Sequence, residues 1–310
     1  MPLVLIPSHV LVLFSRVVSR QTQFARGIPI ILVATAAAFG CDVNSALEQV
    51  SQARHLSADL LVQFTKAADS SNKAVMADTD EHSVVFARQA EQAKQAVQTT
   101  VDSLQPILQG LNYSDEIRLL QEFVTRFAEY RELDRRILDL AVENTNLEAQ
   151  RLSFGAGQEA ADAFRDSLES VIPLDAARGT WRVKALVATA VVTVREIQVL
   201  QAPHIAAADE AVMTRMEKSM ATSESAARSA LQTLAPLITP ESRTHLATAS
   251  AALDRFMAVN SRIAELSRSN TNVRSLALSL NQKGKLTTAC EESLRGLRDA
   301  LAKRGFTNIR

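Results

Sequence analysis

Residues 130–147 read Tyr130-Arg131-Glu132-Leu133-Asp134-Arg135-Arg136-Ile137-Leu138-Asp139-Leu140-Ala141-Val142-Glu143-Asn144-Thr145-Asn146-Leu147. Residues 256–273 carry Phe256, Val259, Arg262, Ile263, Leu266, Asn270, Thr271, Asn272 and Val273 at the matching places, with Asn144 recurring as Asn270. Self-similarity of this length is the mark of a duplicated structural unit. Inside each copy the apolar residues follow alternating spacings of three and four. Tyr130, Leu133, Ile137, Leu140, Asn144, Leu147, Arg151 and Phe154 form one stripe, and Phe256, Val259, Ile263, Leu266, Asn270, Val273, Ala277 and Leu280 form the other. Such a stripe is the seam of helices packed at a shallow angle.

Working outward, the chain has 310 residues, enough for two domains that each bury a core. Hydrophobic residues make up 47% while aromatics make up 5%, a balance that favours helices packed by Leu, Ala, Val and Ile over an aromatic-rich sheet. Gly and Pro fall mostly between the periodic segments and outline the helices. They predict helices at 43–76, 80–108, 114–151 and 157–171, then at 180–202, 207–235, 241–280 and 283–303. Asp78-Thr79, Ser114-Asp115 and Pro240-Glu241 supply helix starts. Upstream of the third helices the register moves by four residues, placed in the loop Gly110-Leu111-Asn112-Tyr113. The fold class expected is all-α: two tandem up-down four-helix bundles, 42–174 and 175–310, joined at Pro173–Gly179. The competing arrangement stacks two bundles on long helices shared between the halves.

Residues 1–41 stand apart. Two apolar runs, Leu3–Phe14 and Ile28–Phe39, are separated by Arg16, Arg20 and Arg26, and neither reaches the roughly 20 residues that span a bilayer. Arg26, the second run and Ala34-Thr35-Ala36-Ala37-Ala38 follow the order of a signal peptide, and Gly40-Cys41 matches the end of a lipoprotein processing box. Ala38 and Phe39 depart from that box. The segment is therefore expected to direct export, with lipid attached at Cys41 or with the segment kept as an uncleaved anchor, on the periplasmic side of the bacterial inner membrane. Cys290 is then left alone at the position equivalent to Phe164, which suits a small buried hydrophobe rather than a nucleophile.

Lys plus Arg and Asp plus Glu both total 34, so no net field holds a nucleic acid backbone. No histidine has Glu three residues before it, no Cys-x-x-Cys-His occurs, and no phosphate loop or zinc spacing is found. No constellation for catalysis is present and no cofactor is expected. Met213, Met216 and Met220 with His204 and Glu217 form the only grouping that suggests a soft metal, and core filling explains the methionines equally well.

The run Leu133-Asp134-Arg135-Arg136-Ile137-Leu138-Asp139-Leu140-Ala141 leading into Asn144-Thr145-Asn146, followed by Leu152-Ser153-Phe154-Gly155, resembles the four-helix-bundle ligand-binding domain of methyl-accepting chemotaxis receptors. Ala77-Asp78-Thr79-Asp80-Glu81 fits the same pattern. The resemblance covers 44–171 and, more weakly, 176–303. It implies a sensory role: a small ligand of the organic acid or amino acid class, a membrane-bound signalling partner and a homodimer. Nothing after Gly296 is apolar enough to cross a membrane, so no cytoplasmic signalling hairpin is expected and a signal would pass through the partner.

Candidate ligand contacts are Asn144, Asn146, Asn270 and Asn272, with Arg131, Arg135 and Arg151 able to meet a carboxylate. Beside this stands a structural role, since a core Asn fixes helix register and a solvated face accounts for arginines. The rival in another class is a structural or protein-docking helical lipoprotein with no small ligand. A metal or haem bundle comes third.

Overall fold

A computed structural model describes residues 38–172 and 180–307. The export or anchor features of residues 1–37 and the side chain of Cys41 lie outside that description. The chain is all-α, and no strand occurs among the described residues.

Two helices open the fold, α1 (Ala38–Val75) and α2 (Asp80–Gly110). The Thr79 hydroxyl caps α2 by accepting from the His82 amide at 3.2 Å, which satisfies one of the free first-turn donors. A long helical run follows in three parts: α3 (Ser114–Glu143), α4 (Thr145–Leu152) and, through a π-turn at Ser153–Gly157, α5 (Gln158–Glu169). Next come α6 (Thr180–Ala206) and α7 (Glu210–Leu234), the latter capped by the Asp209 carboxylate on the Ala211 and Val212 amides. The second long run repeats the plan of the first as α8 (Arg243–Ser269), α9 (Thr271–Leu278), a π-turn at Ser279–Lys283 and α10 (Gly284–Thr307).

Two large apolar cores form, and neither belongs to one half of the sequence. The first is closed by α1, α2, α3 and α10, with Phe64, Leu104, Phe123, Tyr130, Leu294 and Leu297 at its centre. The second is closed by α5, α6, α7 and α8 around Phe164, Leu168, Ile197, Leu234, Leu253 and Phe256. Each long run thus starts in one bundle and ends in the other. The expected boundary at 174/175 therefore does not separate two cores, because α10 supplies the fourth wall of the first bundle and α5 that of the second. Long shared helices, the competing arrangement, describe these contacts. Cys290 and its equivalent Phe164 are both buried core residues. Burial pushes the Cys290 thiol up to about 12, with Arg126 opposing and Glu129 and Glu291 adding to the shift, so little thiolate forms there near neutrality.

The long runs bend at Asn144 (φ 51°) and Asn270 (φ 53°), both in the left-handed region. Asparagine tolerates this backbone better than other residues with a Cβ. The bend resets the helical phase, and the π-turn, which inserts one residue, shifts it again. The continuous stripe expected from spacing therefore fails beyond the bend: Phe154 is 77% exposed, Leu280 is 71% exposed, and Arg151 and Ala277 also face solvent. The glycines expected to part the helices at 155–157 do not do so. A Cβ at Gly157 would stand 3.0 Å from the Leu152 carbonyl oxygen, a tight approach in this copy, although the second π-turn carries Lys283 at the equivalent place.

Candidate functional site

At the two bends the long runs cross and cap one another. The Thr145 amide donates to the Thr271 hydroxyl and the Thr271 amide to the Thr145 hydroxyl, both at 3.2 Å. One residue on, the Asn146 amide donates to Asn272 Oδ1 at 3.1 Å and the Asn272 amide to Asn146 Oδ1 at 3.2 Å. These four amides open α4 and α9 and have no acceptor within their own helices, so each helix start is capped by side chains of the other. The remaining side-chain amides tie the bends together. Asn272 Nδ2 donates to Asn144 Oδ1 at 2.9 Å, and Asn146 Nδ2 donates to Asn270 Oδ1 at 3.0 Å. Asn144 Nδ2 reaches Ser83 Oγ, while Asn270 Nδ2 reaches the Ala207 carbonyl and Asn146 Nδ2 that of Ile205. All four candidate asparagines are brought together, and their amides are engaged within the protein.

Below this junction, inside the first bundle, lies a charged cluster that the sequence stripe did not single out. Asp134, Lys94 and Lys283 are all buried. Lys94 Nζ donates to Asp134 Oδ2 at 2.7 Å and also meets the half-exposed Glu91 at 2.6 Å. Lys283 Nζ donates to Ser71 Oγ at 2.7 Å and stands 3.6 Å from Asp134 Oδ1. Ser71 in turn donates to Asp134 Oδ1. Two buried ammonium groups thus share one buried carboxylate. Burial lowers the pKa of Lys283 from its usual value; Asp134 opposes this and Lys94 reinforces it. The Tyr130 hydroxyl is buried with no hydrogen-bond partner, and burial together with the charge of Asp134 holds its pKa well above the ordinary phenol value.

Open space flanks the cluster on two sides. Lys283 lines a cavity of about 320 Å³ with Asn72, Ser279, Met76, Leu276 and Leu280. Lys94 lines another of about 300 Å³ with Glu91, Arg131, Glu132 and Arg135. Of the arginines picked from sequence, Arg131 and Arg135 therefore flank the cluster, Arg131 lying 5.8 Å from the Phe127 ring centroid and Arg135 pairing with Glu132 and Asp139. Arg151 does not join them; it pairs with Asp80 at 2.7 Å on an exposed face near the junction.

No family model, curated protein or solved structure matches the chain.

The second bundle carries a neutral counterpart of the cluster. Ser153 Oγ donates to Gln201 Oε1 at 2.7 Å, Gln201 Nε2 to Asn260 Oδ1 at 2.9 Å, and Asn260 Nδ2 points at the Met220 sulfur at 3.7 Å. Asn260 stands 126 positions after Asp134, and Gly157 occupies the place that Lys283 holds in the other run. Nearby, His204 Nε2 meets Glu217 Oε1 at 2.9 Å, and Arg268 grips the same carboxylate. That grip lowers the Glu217 pKa; burial resists it and His204 assists. Met213 and Met220 are buried with the core, and no cluster of three metal-binding His, Cys, Asp or Glu side chains occurs among the described residues.

A signal for the charged cluster was present in the sequence. Lys94 sits between Ala90 and Val97, and Asp134 between Tyr130 and Ile137, on the three-and-four series that these helices bury. A charge on a buried series needs a partner on a facing helix.

Proposed function

We propose that the chain is an extracytoplasmic sensory or ligand-binding protein, resembling the four-helix-bundle domain of chemoreceptors, that binds a small anion in its first bundle and acts through a membrane-bound partner. The observation that carries this is the pair of buried ammonium groups, Lys94 and Lys283, held against the single buried carboxylate of Asp134. Lys94 has the half-exposed Glu91 as a second partner, whereas Lys283 stands 3.6 Å from Asp134, a weak pairing for a buried charge that a structural bundle would replace by an apolar residue. A carboxylate ligand seated in the cavity beside Lys283 would give that ammonium group a close partner of its own. Organic acids and the carboxylate end of amino acids fit this chemistry. The neutral second bundle serves as a support in this scheme. The N-terminal segment supplies export and attachment to the membrane. Among the described residues no helix is long and apolar enough to cross one.

The test is a thermal-shift series with organic acids and amino acids on the wild type and on Lys283→Met. A ligand at about 100 times its dissociation constant adds about 2.7 kcal/mol, a rise in Tm of roughly 5–10 °C for a chain of this size. Lys283→Met should remove that shift while leaving the fold intact. Absence of any shift, or an equal shift in the variant, would leave the structural lipoprotein as the better account.

A further inference from the structure

We infer that α6 carries a self-complementary face on which a second copy of this chain docks with the two helices antiparallel. The inner face of α6 is accounted for, since Val183, Val187, Ala190, Val194 and Ile197 lie in the second core. A second stripe runs along the opposite side of the same helix: Trp181, Ala185, Ala188, Val192, Arg195 and Val199. All six face solvent, with Trp181 at 73%, Val192 at 54% and Val199 at 72% exposure. Their spacing of four, three, four, three, four is that of a helix–helix seam, and the stripe extends over about 27 Å at 1.5 Å per residue. A helix that is apolar on both faces has a second surface to cover.

The order of residues along the stripe selects the occupant. Turned end for end about residue 190, the stripe maps onto itself: Trp181 falls opposite Val199, Ala185 opposite Arg195, and Ala188 opposite Val192. Each layer then sets a larger side chain against a smaller one. In a parallel pair, by contrast, Arg195 would face Arg195 and Trp181 would face Trp181. The flanking charges agree with the antiparallel choice. Arg182 and Glu196 lie on the same flank of the stripe, and in the antiparallel pair Arg182 of each copy approaches Glu196 of the other, giving two bridges by symmetry. Glu196 takes the Ser223 hydroxyl on one carboxylate oxygen and is still exposed. Between α5 and α6 an open groove of about 680 Å³, lined by Ile172, Lys184, Ala188, Val191 and Val192, borders the centre of the stripe, where the second copy's helix would cover it. This is an isologous contact, with the same patch used on both copies.

The experiment is sedimentation of the purified full chain in mild detergent, combined with thiol pairing. The wild type should form a dimer and Val192→Glu a monomer of unchanged helicity and Tm. Arg182→Glu sets like charges together at both bridges and should weaken the dimer about tenfold, and adding Glu196→Arg should restore it. With Cys41 replaced by Ala, and Cys290 buried in the core, chains carrying Ala188→Cys should cross-link to chains carrying Val192→Cys and not to themselves. A wild type that stays monomeric at roughly 100 μM, an Ala188→Cys chain that pairs with itself, or a Val192→Glu chain that remains dimeric would overturn the inference. So would loss of binding to phospholipid vesicles in Val192→Glu with no dimer in the wild type, since the stripe would then face lipid.

Discussion

Replacing Asn144 separates two contributions at the bend: the backbone twist and the side-chain network. Asn144→Gly keeps the left-handed backbone available but loses the bonds to Ser83 and Asn272, leaving the half-buried Asn272 amide short of an acceptor. Two hydrogen bonds near 1 kcal/mol each, with a smaller penalty for the half-buried donor left unpaired, amount to about 2–3 kcal/mol. Asn144→Ala loses the same bonds and must also hold a Cβ at φ 51°, a further cost of about 1–2 kcal/mol. Asn144→Leu carries both terms and adds bulk at a position where the runs cross, so it should be the least stable of the three. Urea unfolding followed by circular dichroism is the measurement, with an unchanged m-value confirming that only stability has moved. In melting experiments each kcal/mol should appear as about 2–4 °C. If Ala and Gly give the same midpoint, the backbone is not held left-handed. If Leu is neutral or stabilising, the asparagine sets only helix register and the reciprocal caps carry no weight.

Lys283→Met should raise stability by about 1–3 kcal/mol by removing a buried charge that shares its counter-ion, whereas Asp134→Asn should cost about 3–5 kcal/mol by leaving Lys283 without a counter-ion and Lys94 with only the half-exposed Glu91; equal losses in the two variants would contradict the argument that Lys283 is poorly paired. Gly157→Ala should destabilise because its Cβ meets the Leu152 carbonyl oxygen, while Gly155→Ala, with nothing within 4 Å, should be neutral or gain about 0.4–1 kcal/mol in thermal melts. Burial would raise the Glu116 pKa, but the two bonds from Arg304 at 2.8 and 3.0 Å outweigh it and bring it below 4.5. Its contribution is therefore complete above pH 4.5 and lost as pH falls through the lowered value, so Glu116→Gln should lower stability at pH 7 and flatten the acid limb of a stability-versus-pH curve, the two curves converging at low pH.

Local pattern made the helices legible. Three-and-four spacing located them within a few residues, and Thr79 announced the start of α2. It could not say what each face packs against, because periodicity marks the buried side of a helix and is silent about its partner. Sharing of the long runs between bundles stood only as the competing arrangement for that reason. The bends hid in a different way. Asparagine on an apolar stripe fits both a register device and a left-handed break, and only the Asn-Thr-Asn repetition at both places hints at side chains capping the opposite helix. Asp134, Lys94 and Lys283 each stand on a buried series, yet their association depends on α10 returning to the first bundle, so the cluster was missed while the flanking Arg131 and Arg135 were found.

The shared walls also set the order in which the molecule can be assembled. Helical bundles fold fast because most of their contacts are local in sequence, but here Arg54 donates to the Leu301 carbonyl across 247 residues, and Arg126 to that of Ala289 across 163. The first core therefore stays open along one side until α10 has been synthesised, however well α1, α2 and α3 have formed. Truncation within α10 should consequently damage the beginning of the chain more than its middle. The kinetics should resemble those of a protein rich in long-range pairing, with a slow docking step after the helices appear. Until that step the aromatic wall of Phe64, Phe123 and Tyr130 faces water, a sticky surface on the growing chain that a chaperone would shield.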